Sequence, residues 1–278
     1  MVDLDALPEA RPHTVMARGH RDGLGGTSAG KALTLARLGV PVTLRTVLGD
    51  DEAADRIAAA LDHPLLTLAA ARGLGASERH LNLMAPDGGR VSVYLDLPPE
   101  PGPLPDDVSV LITTADVVVA DLAGHVRDQL PAIRATAREV WCDVHDHDGV
   151  ADFHEPFVAA ADVLVVSADR LPDPRAYLAE RVAAGTRWAV CTAGARGVVA
   201  LGRDEGWLEV PAVPDVRVVD TNGAGDAFVA GMLRGRLDGL PLQACLRLGA
   251  AAGALAVGSP GLVADAGPAD VRRLAGLD

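Results

Sequence analysis

Lysine is nearly absent from this chain: Lys31 stands alone among 25 basic residues, and 38 acidic residues bring the formal charge to −13. So acidic a chain repels phosphate-rich partners, which excludes nucleic acid and an anionic membrane face as expected ligands. A site with its own local donors can still hold an anionic cosubstrate. Cysteine is scarce as well. Cys142, Cys191 and Cys245 are odd in number, far apart and set among apolar neighbours, so neither a disulfide framework nor a zinc site is expected. They are read as small buried hydrophobes. No run of apolar residues is long enough to span a bilayer, and the first residues carry charges and prolines where a signal peptide needs an unbroken apolar stretch. The expected location is the cytoplasm. No repeat of the length that builds a solenoid is visible.

What the chain does have is 278 residues, 49% of them hydrophobic, with 30 glycines and 19 prolines, enough for a large core in one domain. From about residue 106, β-branched runs (SVLIT, ADVVVADL, VWCDV, ADVLVVS, RWAVCT, GVVALG) alternate with alanine-rich amphipathic stretches. That order predicts a parallel sheet covered by helices, and the continuously apolar ADVVVA and DVLVVS suit strands buried on both faces. The first hundred residues differ. HLNLMAPDGGRVSVYLDL forms two alternating segments around Asp87-Gly88-Gly89, which predicts a hairpin at about 81–95. Helices are expected at 31–38 and 51–61, the second opening on acids that suit its dipole. Residues 97–105 (LPPEPGPLP) read as a proline-rich connector, a hinge between this hairpin and the main body.

The most informative segment is DTNGAGDAFVAGML at 220–233, after the strand-like VRVV. A glycine-rich turn entering a helix leaves backbone N–H groups free and pointing outward. Gly223, Ala224 and Gly225 carry almost no side chain, so a phosphate can approach those groups as in other backbone anion nests. Asp226 then falls in the first helical turn, beside the expected anion hole. Phosphoryl transfer asks mainly for positioning, neutralised charge and a group that takes the proton of the attacking hydroxyl, and Asp226 is the candidate for that base. GGTSAGK at 25–31 fits a P-loop only up to Lys31, because Ala32 stands where Ser or Thr would hold magnesium. Lys31 is read either as facing an anionic substrate or as a solvated helix-end cation. The run His145, Asp146, His147, Asp148 lacks a third spaced partner for a closed metal site and is expected to be a solvated loop. Asp143, at a strand's end, is better placed for a ligand.

DTNGAGDAF resembles the C-terminal signature of the ribokinase-like (PfkB) carbohydrate kinases, and GGTSAGKALTLARLG at 25–39 resembles their N-terminal one. LGDDEAADRIAAAL at 48–61 resembles the stretch that follows it, and CTAGARGVVAL at 191–201 resembles the strand and loop that line the nucleotide. The resemblance covers nearly the whole chain. It implies a doubly wound α/β domain, its mostly parallel sheet flanked by helices, spanning 1–278 with a small β lid from segments at about 8–24 and 81–95. It implies ATP and Mg2+, with a monovalent cation as a further candidate. By the same resemblance Asp226 is the base and Gly223, Ala224 and Gly225 the anion hole. Thr192, Gly194, Gly197, Thr221 and Ser167 are then nucleotide residues, and Asp22, Gly25, Gly26 and Lys31 substrate residues. Arg196, beside Gly197, either pairs with a phosphate or is solvated.

Several positions depart from the family pattern. Gly30 stands where an asparagine is usual, and Ser167 and Arg170 replace the Asn-x-x-Glu pair that orders magnesium, with Asp169 as a partial substitute. The metal ligands are therefore unassigned. The family's usual first strand, with its sugar-binding aspartate, is not evident, because DLDALPEARPHTV already resembles the lid; this leaves Asp22 as the candidate carboxylate. Few aromatics favour a sugar acceptor over a nucleoside. An adenosine-like nucleoside kinase and a lapsed regulator that binds nucleotide or sugar are the alternatives. An open lid sheet suggests a homodimer paired through it.

Overall fold

The computed structural model describes residues 1–73, 75–86, 88–98 and 106–277. The connector expected at 97–105 falls outside these from residue 99 on, as does Asp87 of the hairpin turn.

In chain order, β1 (Val2–Asp3) and β2 (Gly19–His20) precede α1 (Thr27–Arg37), and β3 (Val42–Leu48) precedes α2 (Glu52–Ala60). Then come β4 (Leu66–Arg72), β5 (Arg79–Met84) and β6 (Arg90–Asp96). β1, β2, β5 and β6 make a small sheet in the order β2-β1-β5-β6, while β3 and β4 pair in parallel. The β5–β6 hairpin is the one expected from Gly88-Gly89, two residues longer at its start. Of the segment at about 8–24, expected to belong to the lid, Gly19 and His20 form β2, whose partner β1 lies before it.

Helix α1 starts four residues before the expected 31. Gly26 adopts φ 93, a left-handed conformation that costs glycine little, and turns the chain into the helix there. Helix α2 is capped by Asp51, whose Oδ1 accepts from the Ala54 N–H at 2.9 Å.

The body follows: α3 (Asp106–Thr114), β7 (Val118–Ala120), α4 (Gly124–Thr136), β8 (Val140–Asp143), α5 (Glu155–Ala160), β9 (Val163–Ser167), α6 (Pro174–Ala184) and β10 (Trp188–Thr192). After these come β11 (Val198–Gly202), β12 (Gly206–Val210), α7 (Ala224–Leu237), α8 (Leu242–Val257) and α9 (Pro268–Ala275). β7 to β10 are mutually parallel and β11 and β12 antiparallel, in the order β12-β11-β10-β9-β8-β7.

Alternation divides the core into two layers. Cys142, Leu164, Val166 and Ala189 pack with Leu130, Phe157 and Leu178 of α4, α5 and α6. Trp141, Val163, Val165 and Val190 pack on the opposite face with Phe228, Met232 and Leu246 of α7 and α8. Burial on both faces is why these strands read as continuous apolar runs. Two expected strands are not strands. SVLIT lies in α3, where the i,i+4 pair Val108 and Ile112 is buried, so a helical stripe overrides β-branched propensity. VRVV is irregular: Val218 and Val219 are exposed, and the Val219 and Asp220 N–H groups donate to the Val257 carbonyl at the end of α8.

Helices α7 and α8 meet along glycines. A Cβ on Gly231 would lie 2.6 Å from the Leu248 carbonyl oxygen, and one on Gly249 would lie 2.8 Å from that of Phe228. This close seam fixes the helix that carries Asp226. The three cysteines are buried and free, as expected of small hydrophobes, and burial pushes the Cys191 thiol up to about 11.

Candidate active site

The 220–226 turn is built by its own residues. Asp220 Oδ1 accepts from the Asn222 backbone N–H at 2.9 Å and its side-chain amide at 2.6 Å. Gly223 then adopts φ 75 and caps α7, and a Cβ there would run into the Leu262 carbonyl, so no other residue fits without moving backbone. Around Gly225 the Cβ direction is open. The first N–H groups of α7 lack intrahelical acceptors, and the positive end of the helix dipole lies at this turn.

Asp226 is buried, 7% exposed, in the first turn of α7. Its Oδ1 accepts from the Lys31 ammonium at 2.8 Å. The same ammonium lies 2.9 Å from Asp121 Oδ1 and 3.1 Å from Asp143 Oδ2. Asp121 directly follows β7 and Asp143 closes β8, so both project from the carboxyl ends of adjacent parallel strands, where open α/β sheets bind ligands. Burial works against the Lys31 charge, but Asp121, Asp143 and Asp226 together hold its pKa well above the ordinary lysine value. Burial pushes Asp226 above the ordinary carboxylate value, with Lys31 pulling the other way. Burial would raise Asp143 too, yet His145 and Lys31 bring it below the usual range.

A second group sits at the ends of β9 and β10. Ser167 and Thr192 are register partners at the carboxyl ends of these strands, and the Ser167 hydroxyl accepts from the Asp169 N–H at 3.3 Å. Gly194 and Gly197 follow with positive φ, and a Cβ on Gly197 would strike the Val210 carbonyl. Arg170 is paired with Asp148 at 3.1 Å, and Arg196 is exposed.

The small sheet hangs over the turn. Arg21 pairs with Asp220 at 2.8 Å, and Arg90 donates to Asn222 Oδ1 at 3.1 Å. Thr221 faces the hairpin, 4.0 Å from where a Gly88 Cβ would lie, and a Cβ on Gly25 would lie 3.3 Å from the His80 ring. Asp22 is exposed.

Sequence reasoning missed Asp121, whose one signal is its place just after the run VVVA. Lys31, expected at a substrate or in solvent, is buried, with its ammonium held by three carboxylates. The loop at 145–148 is not simply solvated: His147 is 1% exposed and stacks on His154 with ring centroids 4.6 Å apart. Among the described residues no group of three or more His, Cys, Asp or Glu is arranged to hold a metal.

A mostly parallel sheet with buried carboxylates at its strand ends and a glycine-rich helix start beside them is the arrangement by which α/β enzymes place an anionic cosubstrate. Residues 157–268 match the family described as "pfkB family carbohydrate kinase". The chain is 35% identical over 244 residues to the acarbose 7(IV)-phosphotransferase of an Actinoplanes species, covering 85% of this chain and 81% of that protein. A microbiome-derived acarbose kinase, Mak1, superposes with a TM-score of 0.85 at 31% identity, covering 99% of this chain and 94% of that one. Arabidopsis thaliana ribokinase shares the fold, with a TM-score of 0.79 at 22% identity over 99% of this chain and 94% of the other. The chain belongs to the pfkB family of carbohydrate kinases and has the ribokinase-like fold, and it is an ATP-dependent enzyme that phosphorylates a hydroxyl of a sugar or sugar-like substrate.

Proposed function

We propose that Asp226 is the general base of this kinase, with the N–H groups of Gly223, Ala224 and Gly225 as its anion hole. The acceptor hydroxyl gives its proton to the Asp226 carboxylate while its oxygen bonds to the terminal phosphorus of ATP. The bond from that phosphorus to the β-phosphate's bridging oxygen breaks, and ADP leaves. The observation that carries this reading is a buried carboxylate in the first turn of α7, next to the open space at Gly225. Ser167, Thr192, Gly194, Gly197 and Thr221 are the residues that take the nucleotide. The small sheet acts as the lid, and the acceptor lies beneath it near Gly25, Gly26 and Asp22. The whole is one domain with that lid, working in the cytoplasm.

The residues at the family's metal-ordering positions do not fit a magnesium ion. Ser167 offers one neutral hydroxyl, and Arg170 is a cation already paired with Asp148. Magnesium therefore arrives with the nucleotide's phosphates. The acceptor is a neutral sugar rather than a sugar acid, because three carboxylates against one ammonium leave the site with an excess of negative charge.

ATP consumption across neutral sugars, acarbose among them, sugar acids and nucleosides, with Asp226→Asn as control, tests the reading. Turnover on a neutral sugar that drops about a hundredfold or more in the variant is the expected result. Near-normal turnover in Asp226→Asn removes the base, and turnover confined to nucleosides or acids removes the acceptor assignment.

A further inference from the structure

Lys31, Asp121, Asp143 and Asp226 are each less than a tenth exposed, and they converge from α1, the ends of β7 and β8, and the start of α7. One ammonium among three carboxylates leaves buried charge uncompensated, which costs stability that apolar packing would not. A cluster maintained at that cost beside the expected reaction centre calls for a use other than holding the fold together. Its geometry treats the two oxygens of Asp226 differently. Oδ1 receives the ammonium at 2.8 Å. Oδ2 lies against Gly30, 3.0 Å from where a Cβ would be, and forms no hydrogen bond among the described residues. Neighbouring positions of α1 therefore serve the same carboxylate, Lys31 by a contact and Gly30 by the room it leaves.

We propose that Lys31, anchored by Asp121 and Asp143, is the positioning residue of Asp226: it holds Oδ1 and leaves Oδ2, in the space Gly30 keeps open, to take the acceptor's proton. This rests on Asp226 being the base. The charged groups facing Asp226 are Lys31 from α1, Asp121 after β7 and Asp143 at the end of β8, with His145 behind Asp143 at 3.5 Å. Burial and the two carboxylates raise Asp226, and Lys31 alone of these opposes them. Without the ammonium the Asp226 pKa rises further, so a smaller fraction of the carboxyl is ionised and able to take a proton from a substrate.

The test follows the Asp226 carboxyl in protein labelled with carboxyl-13C aspartate, its resonance identified by its loss in Asp226→Asn. In Lys31→Met the titration midpoint is expected to rise by about one pH unit or more. In Lys31→Gln, which keeps a polar donor at the site and so spares the fold if Lys31→Met does not fold, it is expected to rise as well, because the attracting charge is gone. Shifts in these directions support the proposal. A midpoint that stays put in the folded variants overturns it, and lower melting temperatures with unmoved midpoints do the same, since they mark a merely structural lysine. Lost turnover in Asp226→Asn alongside unmoved midpoints overturns the role of Lys31 while the base reading stands.

Discussion

At the scale of single residues, Asp226 and Gly30 are fitted to each other. Adding a Cβ at position 30 brings it to 3.0 Å from Oδ2 and 3.1 Å from the Asp226 Cβ, closer than side chains normally pack, so the carboxylate has to shift by a few tenths of an ångström. Alanine is the better helix former by about 1 kcal/mol. Gly30→Ala is therefore expected to lose about tenfold in turnover while keeping or raising the melting temperature; thermal melts and initial rates on the same preparation check it. A variant that loses stability and activity together would point to backbone damage instead. Asp226 was legible as the candidate base because its neighbours in the chain announce it: a glycine-rich turn, then an acid. Its counter-ion was not, because Lys31 and Asp226 are 195 positions apart and no local pattern ties them. Asp121 was hidden for the same reason.

At the scale of elements, the strands of the body were readable wherever both faces are buried, as in VLVVS. Reading by residue type failed where tertiary contacts decide, in SVLIT and VRVV. The loop between β8 and α5 shows a third case: four polar residues read as solvated, of which one is buried. Burial and then His154 lower the His147 pKa from its ordinary value near 6.5, against the pull of Asp148 and Glu155, with Arg181 adding to the lowering. The sign of the linkage follows: as pH falls below 6.5 the unfolded chain takes up a proton that the native histidine resists, so stability falls with pH in that window and levels off below the folded pKa. Urea midpoints measured at steps between pH 7.5 and 5 are expected to decline, and the decline should flatten in His147→Phe. An identical slope in the variant would assign the loss to other groups.

For the whole molecule, the sequence signalled a body, a hairpin and a proline-rich connector between them, but not the side chains that tie the small sheet to the body. Arg21 and Arg90 reach Asp220 and Asn222, so the small sheet is tied to the turn that enters α7. β6 is the outer strand of that sheet, and Val91, Val93, Tyr94 and Leu95 on it are exposed. An open apolar edge of this kind invites strand pairing, and a second copy of the chain is the partner proposed. Sedimentation velocity is expected to show a dimer that Val93→Lys converts to monomer; a monomeric parent protein would discard the idea. Lys31 has one more consequence. Apart from the α-amino group, a reagent that acylates amines finds a single target in the folded chain, and a lysine-specific protease finds a single bond, in each case shut inside the site. Cutting after Lys31 in the native protein therefore times the opening of α1 around it, and a ligand that seals the site should slow that clock even before its phosphorylated product is known.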